Sequence, residues 1–153
     1  TLSNDIKKVH PLNLLALSNI KVRLRMLTLY AIAQKENSLV VGTDNLDERY
    51  VGYFTKFGDG ACDILPIAKL TKNEVYKASK LLGVTSRIIK RPPSAGLYLN
   101  QRDETELGVS YKILDQYLLG KKVNKKAIDR IKHLHQISEH KRRPIPEPKD
   151  YKR

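Results

Sequence analysis

The chain has 153 residues, 41% of them hydrophobic and 29% charged, enough for one soluble domain with a real core. Its longest apolar stretch, near residues 12–17, is far too short to cross a bilayer and has no signal-peptide flanks, so no membrane role is expected. The formal charge is +13, and residues 121–153 alone hold twelve Lys/Arg against four Asp/Glu.

Such a basic end attracts polyanions, either nucleic acid or phosphorylated small molecules. Nucleic acid is disfavoured, because the region has only Tyr151 as an aromatic and neither helix-turn-helix nor zinc spacing. A nucleotide with several phosphates accounts for part of the charge. The single cysteine, Cys62, excludes an intrachain disulfide and fits a reducing, cytoplasmic compartment. With no fixed basic neighbour in sequence, Cys62 reads as a small buried residue rather than a nucleophile.

In chain order, residues 1–18 are weakly patterned. Pro11 argues against a continuous helix, and Leu12, Leu14, Leu15 and Leu17 suggest a packed segment. Ser18 or Asn19 is a credible N-cap for a helix over 20–34, whose stripe is Ile20, Leu24, Leu27 and Ala31. Met26, Leu29, Tyr30 and Ala33 widen that stripe, which predicts burial on two sides, as for a crossover helix beside a parallel sheet. Lys21, Arg23 and Arg25 oppose the dipole at its start, so they form a solvated basic face or await an anion.

Residues 39–42 read as the tail of a buried strand. Between Thr43 and Asp63 come Thr43, Asp44, Asp47, Glu48, Lys56, Asp59 and Asp63, interleaved with Tyr50, Tyr53, Phe54 and Phe57. Gly52, Gly58 and Gly60 punctuate the segment, predicting mostly loop. Polar groups and aromatics leaving the carboxyl end of a strand suit a ligand crevice in an open α/β sheet. By composition alone, a solvated loop fits as well.

Thr71-Lys72-Asn73-Glu74 is a capping box opening a helix, with Val75, Ala78, Leu81 and Leu82 toward the core and Gly83 closing it. Lys72 in the first turn is unfavourable unless it pairs with an anion, which points to phosphate binding. Residues 87–91 are a short apolar-basic run, and Pro92-Pro93 force extension into Ser94-Ala95-Gly96. Asp103-Glu104-Thr105-Glu106 reads as an acidic lead-in, or less simply as metal ligands, before a helix over 110–118 stopped by Gly120. In that helix Ile113, Leu114 and Tyr117 point inward. A last helix runs from Asn124 to about His140 on a stripe of Ile128, Ile131, Leu134 and Ile137, with His133 and His135 on the surface. The tail, 144–153, is proline-rich, basic and extended. The whole chain, 1–153, reads as a single domain.

Order adds what composition lacks. NIKVRLRM from Asn19, GTDNLDE from Gly42, GYFTKFGDG from Gly52, D-I-L-P from Asp63 and L-T-K from Leu70 follow one another. R-P-P-S-A from Arg91, DETELGVSY from Asp103 and SEHKRR from Ser138 complete the series. Together, over about residues 19–143, they resemble ammonia-dependent NAD synthetase, one of the pyrophosphatase-loop ATP enzymes. The resemblance implies an α/β fold: part of an open parallel-sheet, three-layer architecture like the adenine-nucleotide hydrolases. That family's S-G-G-x-D-S loop is not in the sequence. The resemblance therefore implies the carboxyl-terminal part of a synthetase, with N-terminal strands and ATP-phosphate loop missing from this chain, which alone would be inactive.

The implied reaction adenylates deamido-NAD with ATP and then displaces AMP with ammonia. On the matching positions, Thr43, Lys72 and Ser94 would bind ATP and Glu48 would bind magnesium, its second carboxylate lying in the missing loop. Arg23, Lys56, Asp59, Asp63, His140 and Lys141 would bind deamido-NAD, and Asp59 and Lys72 would be catalytic. A homodimer with substrate at the subunit boundary is implied as well. Several positions depart from the family pattern: Ser94 replaces threonine, Gly96 replaces aspartate, and Asn45, Leu46 and Asp47 replace His, Ala and Ala. Two other readings compete. One is a non-catalytic basic module binding nucleotides or RNA. The other is a different amidating ligase of the same superfamily, against which GYFTKFGDG and SEHKR speak.

Overall fold

The computed structural model describes residues 2–148, and within them the secondary structure is helical. The order is α1 (Leu2–Val9), α2 (Leu14–Lys35), α3 (Leu46–Val51) and α4 (Lys72–Leu81), then α5 (Ser86–Ile89), α6 (Asp103–Leu107), α7 (Tyr111–Leu118) and α8 (Lys125–Ile137). A 3-10 turn, Glu139–Lys141, follows α8. No helix among the described residues is long and apolar enough to cross a membrane.

The core is gathered where α3, α6, α7 and α8 meet. Val51, Leu107, Val109, Tyr111, Leu114, Ala127 and Ile131 form one buried cluster. Leu114 and Ile131 are completely inaccessible, as the stripes of the last two helices predict. Ser110 caps α7 by accepting from Ile113 N–H, and Asn124 caps α8 by accepting from Ala127 N–H. Gly108 and Gly120 end α6 and α7 at φ of +68° and +71°, where a side chain would be strained.

Several expectations are corrected. Helix α2 starts at Leu14, not Ile20, because Asn13 Oδ1 accepts from Ala16 N–H at 2.9 Å. Ser18 is buried inside the helix, and Asn19 Oδ1 instead accepts from the Thr55 hydroxyl at 2.9 Å. Burial of α2 is one-sided: Val22 and Ala33 are covered, but Leu27, Leu29 and Ile32 are more than half exposed.

The predicted strand appears as one parallel bridge, Val41 with Ile64, and no longer strand occurs among the described residues. A ladder is built by partners on either side, and here 39–42 meets only the stretch around Ile64, leaving Leu39 and Val41 exposed. The supposed loop after it contains α3, opened by an Asn45/Glu48 capping box. The acidic quartet at Asp103 is itself a short helix rather than a lead-in.

The Thr71/Glu74 box and Gly83 at φ +73° stand as predicted, but Leu81 and Leu82 face solvent because the core lies beyond the other end of α4. Helix α8 stops at Ile137, where the Ser138 hydroxyl turns back onto the Leu134 and Val51 carbonyls. His135 is not a surface residue: its ring stacks on Tyr50 at 4.2 Å and its Nδ1 lies 2.7 Å from the Tyr50 carbonyl. Of the predicted tail, 149–153 lies outside the described residues.

Removing a buried branched side chain costs transfer energy plus a cavity. Leu114→Ala is therefore expected to lose about 2–5 kcal/mol in urea unfolding, whereas Leu81→Ala should stay within about 0.5 kcal/mol of wild type.

Candidate active site

Two clefts open beside the parallel bridge. The first, about 550 Å³, is lined by Thr43, Asp44, Glu48, Lys72, Ser94 and Asp103 among others. The second, about 650 Å³, runs along α2 and includes Val22, Met26, Phe54, Glu106 and Lys141. Thr43, Tyr53, Asp59 and Ala95 line both, so the clefts share one wall.

Local structure explains the placement. Thr43 leaves the bridge just before α3, and the Asn45 cap starts α3 so that Glu48 falls in its first turn. Glu48 Oε2 accepts from Asn45 N–H at 3.1 Å, leaving Oε1 for the ammonium of Lys72 at 2.8 Å. Both side chains of this pair are less than one-fifth exposed. The anion that Lys72 needs at the head of α4 is thus supplied by the protein. The Lys72 ammonium also sits 4.6 Å from the centre of the Tyr111 ring.

Behind the pair, the Tyr111 hydroxyl lies 3.1 Å from Asp103 Oδ2, and the Tyr53 hydroxyl 3.1 Å from Asp103 Oδ1 and 2.5 Å from Glu106 Oε2. Tyr98 bonds to Glu106 from the other side. Burial first, then Glu106 and Asp103 for Tyr53 and Glu48 and Asp103 for Tyr111, push both phenols far above the ordinary range, so both remain protonated donors.

The lining of the first cleft is unusually acidic. Asp44 is buried, its Oδ2 has no hydrogen-bond partner, and burial followed by Asp59 and Glu48 raises it to about 7. Asp59 accepts from Thr55 N–H at 2.7 Å, yet desolvation still lifts its carboxyl above the usual range. Asp103 is lifted too, again chiefly by burial. Lys141 donates to the Gly52 and Phe54 carbonyls at 2.7 and 2.6 Å, and desolvation lowers it. Burial raises the thiol of Cys62, which leaves it a poor nucleophile.

Of the residues singled out in the sequence, the clefts bring together Thr43, Glu48, Asp59, Lys72, Ser94 and Lys141. Arg23, Lys56, Asp63 and His140 line neither cleft. The Arg23 guanidinium donates to the Lys56 carbonyl at 3.2 Å, tying α2 to the glycine-rich segment. Asp63 fastens the bridge: its Oδ2 accepts from Val40 N–H at 2.7 Å and its Oδ1 from the Tyr30 hydroxyl at 3.3 Å.

The sequence reading placed Tyr53 only among crevice aromatics and Asp103 only in an acidic quartet, and gave Tyr111 no role; Tyr53 and Asp103, which hydrogen-bond, lie 50 residues apart in the chain. No group of three or more His, Cys, Asp or Glu that could hold a metal occurs among the described residues. Glu48, expected from the resemblance to bind magnesium, has both oxygens engaged here, Oε2 by Asn45 N–H and Oε1 by the Lys72 ammonium.

A paired lysine and a set of raised carboxyls lie together beside the single parallel bridge. The chain belongs to the NAD synthase family, whose model matches residues 1–145. It is 51% identical over 143 residues to an NH(3)-dependent NAD(+) synthetase of Mesoplasma florum, covering 94% of this chain and 59% of that protein. An enzyme of the same description from Alkaliphilus oremlandii is 54% identical over 132 residues, 86% of this chain and 53% of that one. The chain thus spans little more than half the length of these relatives.

Among solved structures, an NMN synthetase from Francisella tularensis superposes with a TM-score of 0.91 at 46% identity, covering 95% of this chain and 61% of that one. An NH3-dependent NAD synthetase from Campylobacter jejuni gives 0.73 at 29% identity, covering 97% and 62%.

Asp44 provides a pH test. Its carboxyl is raised, so the folded state holds the proton more tightly than the unfolded chain, whose aspartate titrates near ~3.9. This contribution is fully present below that value and fades as pH rises through about 7. Asp44→Asn should therefore gain stability over wild type as pH rises across this window, read from urea midpoints at its two ends. A constant difference would show that Asp44 does not titrate there.

Proposed function

We propose that the protein carrying this chain is an ammonia-dependent synthetase that amidates the nicotinate carboxylate of deamido-NAD through an adenylated intermediate. The observation that carries this reading is the Lys72–Glu48 pair at 2.8 Å in a cleft that shares Thr43, Tyr53, Asp59 and Ala95 with a second one. Two substrates that must exchange a group need two adjoining pockets with a common wall. In this reading the fold is part of an open parallel sheet, the protein is a cytoplasmic homodimer, and the dinucleotide lies at the subunit boundary.

ATP occupies the cleft of Thr43, Lys72 and Ser94. A nicotinate carboxylate oxygen attacks the α-phosphorus, and the bond to pyrophosphate breaks. Lys72 stabilises charge on the phosphates, held in place by Glu48 at 2.8 Å. Glu48 would also supply one oxygen to magnesium, which when bound gathers the triphosphate oxygens.

Ammonia then attacks the acyl carbon, AMP leaves with the C–O electron pair, and the surplus proton passes to Asp59 on the shared wall. Lys141 lines the second cleft and helps hold deamido-NAD there. Arg23, Lys56, Asp63 and His140 are assigned to that substrate by resemblance, from outside the cleft walls.

One observation favours a second substrate. The Francisella tularensis structure, with a TM-score of 0.91, is described as an NMN synthetase, so nicotinate mononucleotide is the alternative acceptor. The two are separated by measuring AMP release with ATP, ammonium and either acceptor. A kcat/KM higher for the mononucleotide would replace deamido-NAD in this reading, and AMP release with neither would overturn it. In the same assay Lys72→Met is expected to lower kcat by about 10²–10³-fold, the usual consequence of removing one group that stabilises transition-state charge.

A further inference from the structure

Four N–H groups at the start of α4 lack partners within the helix. The capping box serves two of them: Thr71 N–H donates to Glu74 Oε2 at 2.8 Å, and Glu74 N–H to Thr71 Oγ1 at 3.4 Å. The other two are taken by carboxylates from distant parts of the chain. Lys72 N–H lies 2.8 Å from Asp47 Oδ2 and 3.2 Å from Asp115 Oδ1, and Asn73 N–H donates to Asp115 Oδ2 at 3.1 Å. Asp47 is completely buried and Asp115 nearly so, and Asp47 Oδ1 has no hydrogen-bond partner. A helix that needed only a cap would not require two carboxylates placed where desolvation is costly.

Their neighbours explain the expense. Asp47 and Glu48 are consecutive in α3: one holds the backbone of Lys72 and the other its ammonium, each at 2.8 Å. Tyr111 and Asp115 are one turn apart in α7: one lies under the ammonium and the other on the backbone N–H. Two helices thus each grip Lys72 at both ends.

We propose that Asp47 and Asp115 are positioning residues for Lys72. They fix the first turn of α4 against α3 and α7 and so set the direction in which the lysine enters the cleft. A side chain aimed this way loses little further rotamer freedom when it meets an anion.

The test is competitive acetylation of the full chain with a trace of acetic anhydride, reading each lysine by mass spectrometry. Asp47→Ala and Asp115→Ala should each raise labelling of Lys72 about fivefold, the population change produced by losing an ordinary cap, with the other lysines unchanged. Asp47→Asn should keep Lys72 protected, since its amide carbonyl can accept the Lys72 N–H while its NH2 donates to Asp115. Unchanged Lys72 labelling in the alanine variants, or an equal rise at every lysine, overturns the proposal. If Asp47→Ala does not fold, Asp115→Ala decides by the same ratio.

A second readout rests on the reading of Lys72 as the ATP lysine. By calorimetry, Asp47→Ala should weaken ATP binding in the wild type but not on a Lys72→Met background. Equal weakening in both would reduce Asp47 to a purely structural role. The calorimetry uses the full-length synthetase that carries this chain; if that protein binds no ATP, the nucleotide reading fails while the acetylation result still decides the positioning.

Discussion

The contact between Lys72 and Glu48 organises the rest of the molecule. Twenty-four residues separate the two in sequence, and their meeting joins the first turn of α3 to the first turn of α4. Each charge sits in a partly desolvated place that only the other makes tolerable, so removing one would leave an uncompensated ion. Around this pair the fold adds the Tyr111 ring, the Asp103 carboxylate and two buried aspartates on the helix start. The cleft is therefore built around a fixed cation.

Electrostatic tension concentrates along the two clefts and the wall they share. Asp44, Asp59 and Asp103 are all raised above the ordinary carboxylate range, each mainly by burial, while Lys141 is lowered for the same reason. A cationic guest or a metal ion at this junction would draw the carboxyls back toward their usual values. With its carboxyl raised to about 7, Asp44 can hold or release a proton near neutrality without any histidine.

Stability is distributed unevenly. The apolar core lies with α3 and α6–α8, whereas α2 is attached largely through polar hooks: Arg23 to the Lys56 carbonyl, Asn19 to Thr55 and Tyr30 to Asp63. The C-terminal turn closes the other side. Arg142 donates to Ser138 and to the Arg49 carbonyl, and Gly52, at φ +68°, leaves room for Ser138, which a Cβ there would meet at 2.1 Å. Both attachments converge on the glycine-rich segment that forms the shared wall.

Local signals settled much of this from the chain alone. The Thr71/Glu74 box, the left-handed Gly83, the stripe through Ile131 and Leu134 and the cap Asn124 each depend on neighbours within a few residues. Order along the chain likewise pointed to Thr43, Glu48 and Lys72 as one group. Tertiary structure decided the rest, because it turns on which surfaces meet. Leu27 and Leu81 read as core but face water, since apolar spacing marks a face without supplying its partner. Asp47 and Asp115 carry no signal in sequence, because a carboxylate becomes a clasp only when folding brings an unpaired N–H to it from far along the chain, 25 residues away for Asp47 and 43 for Asp115 with Lys72.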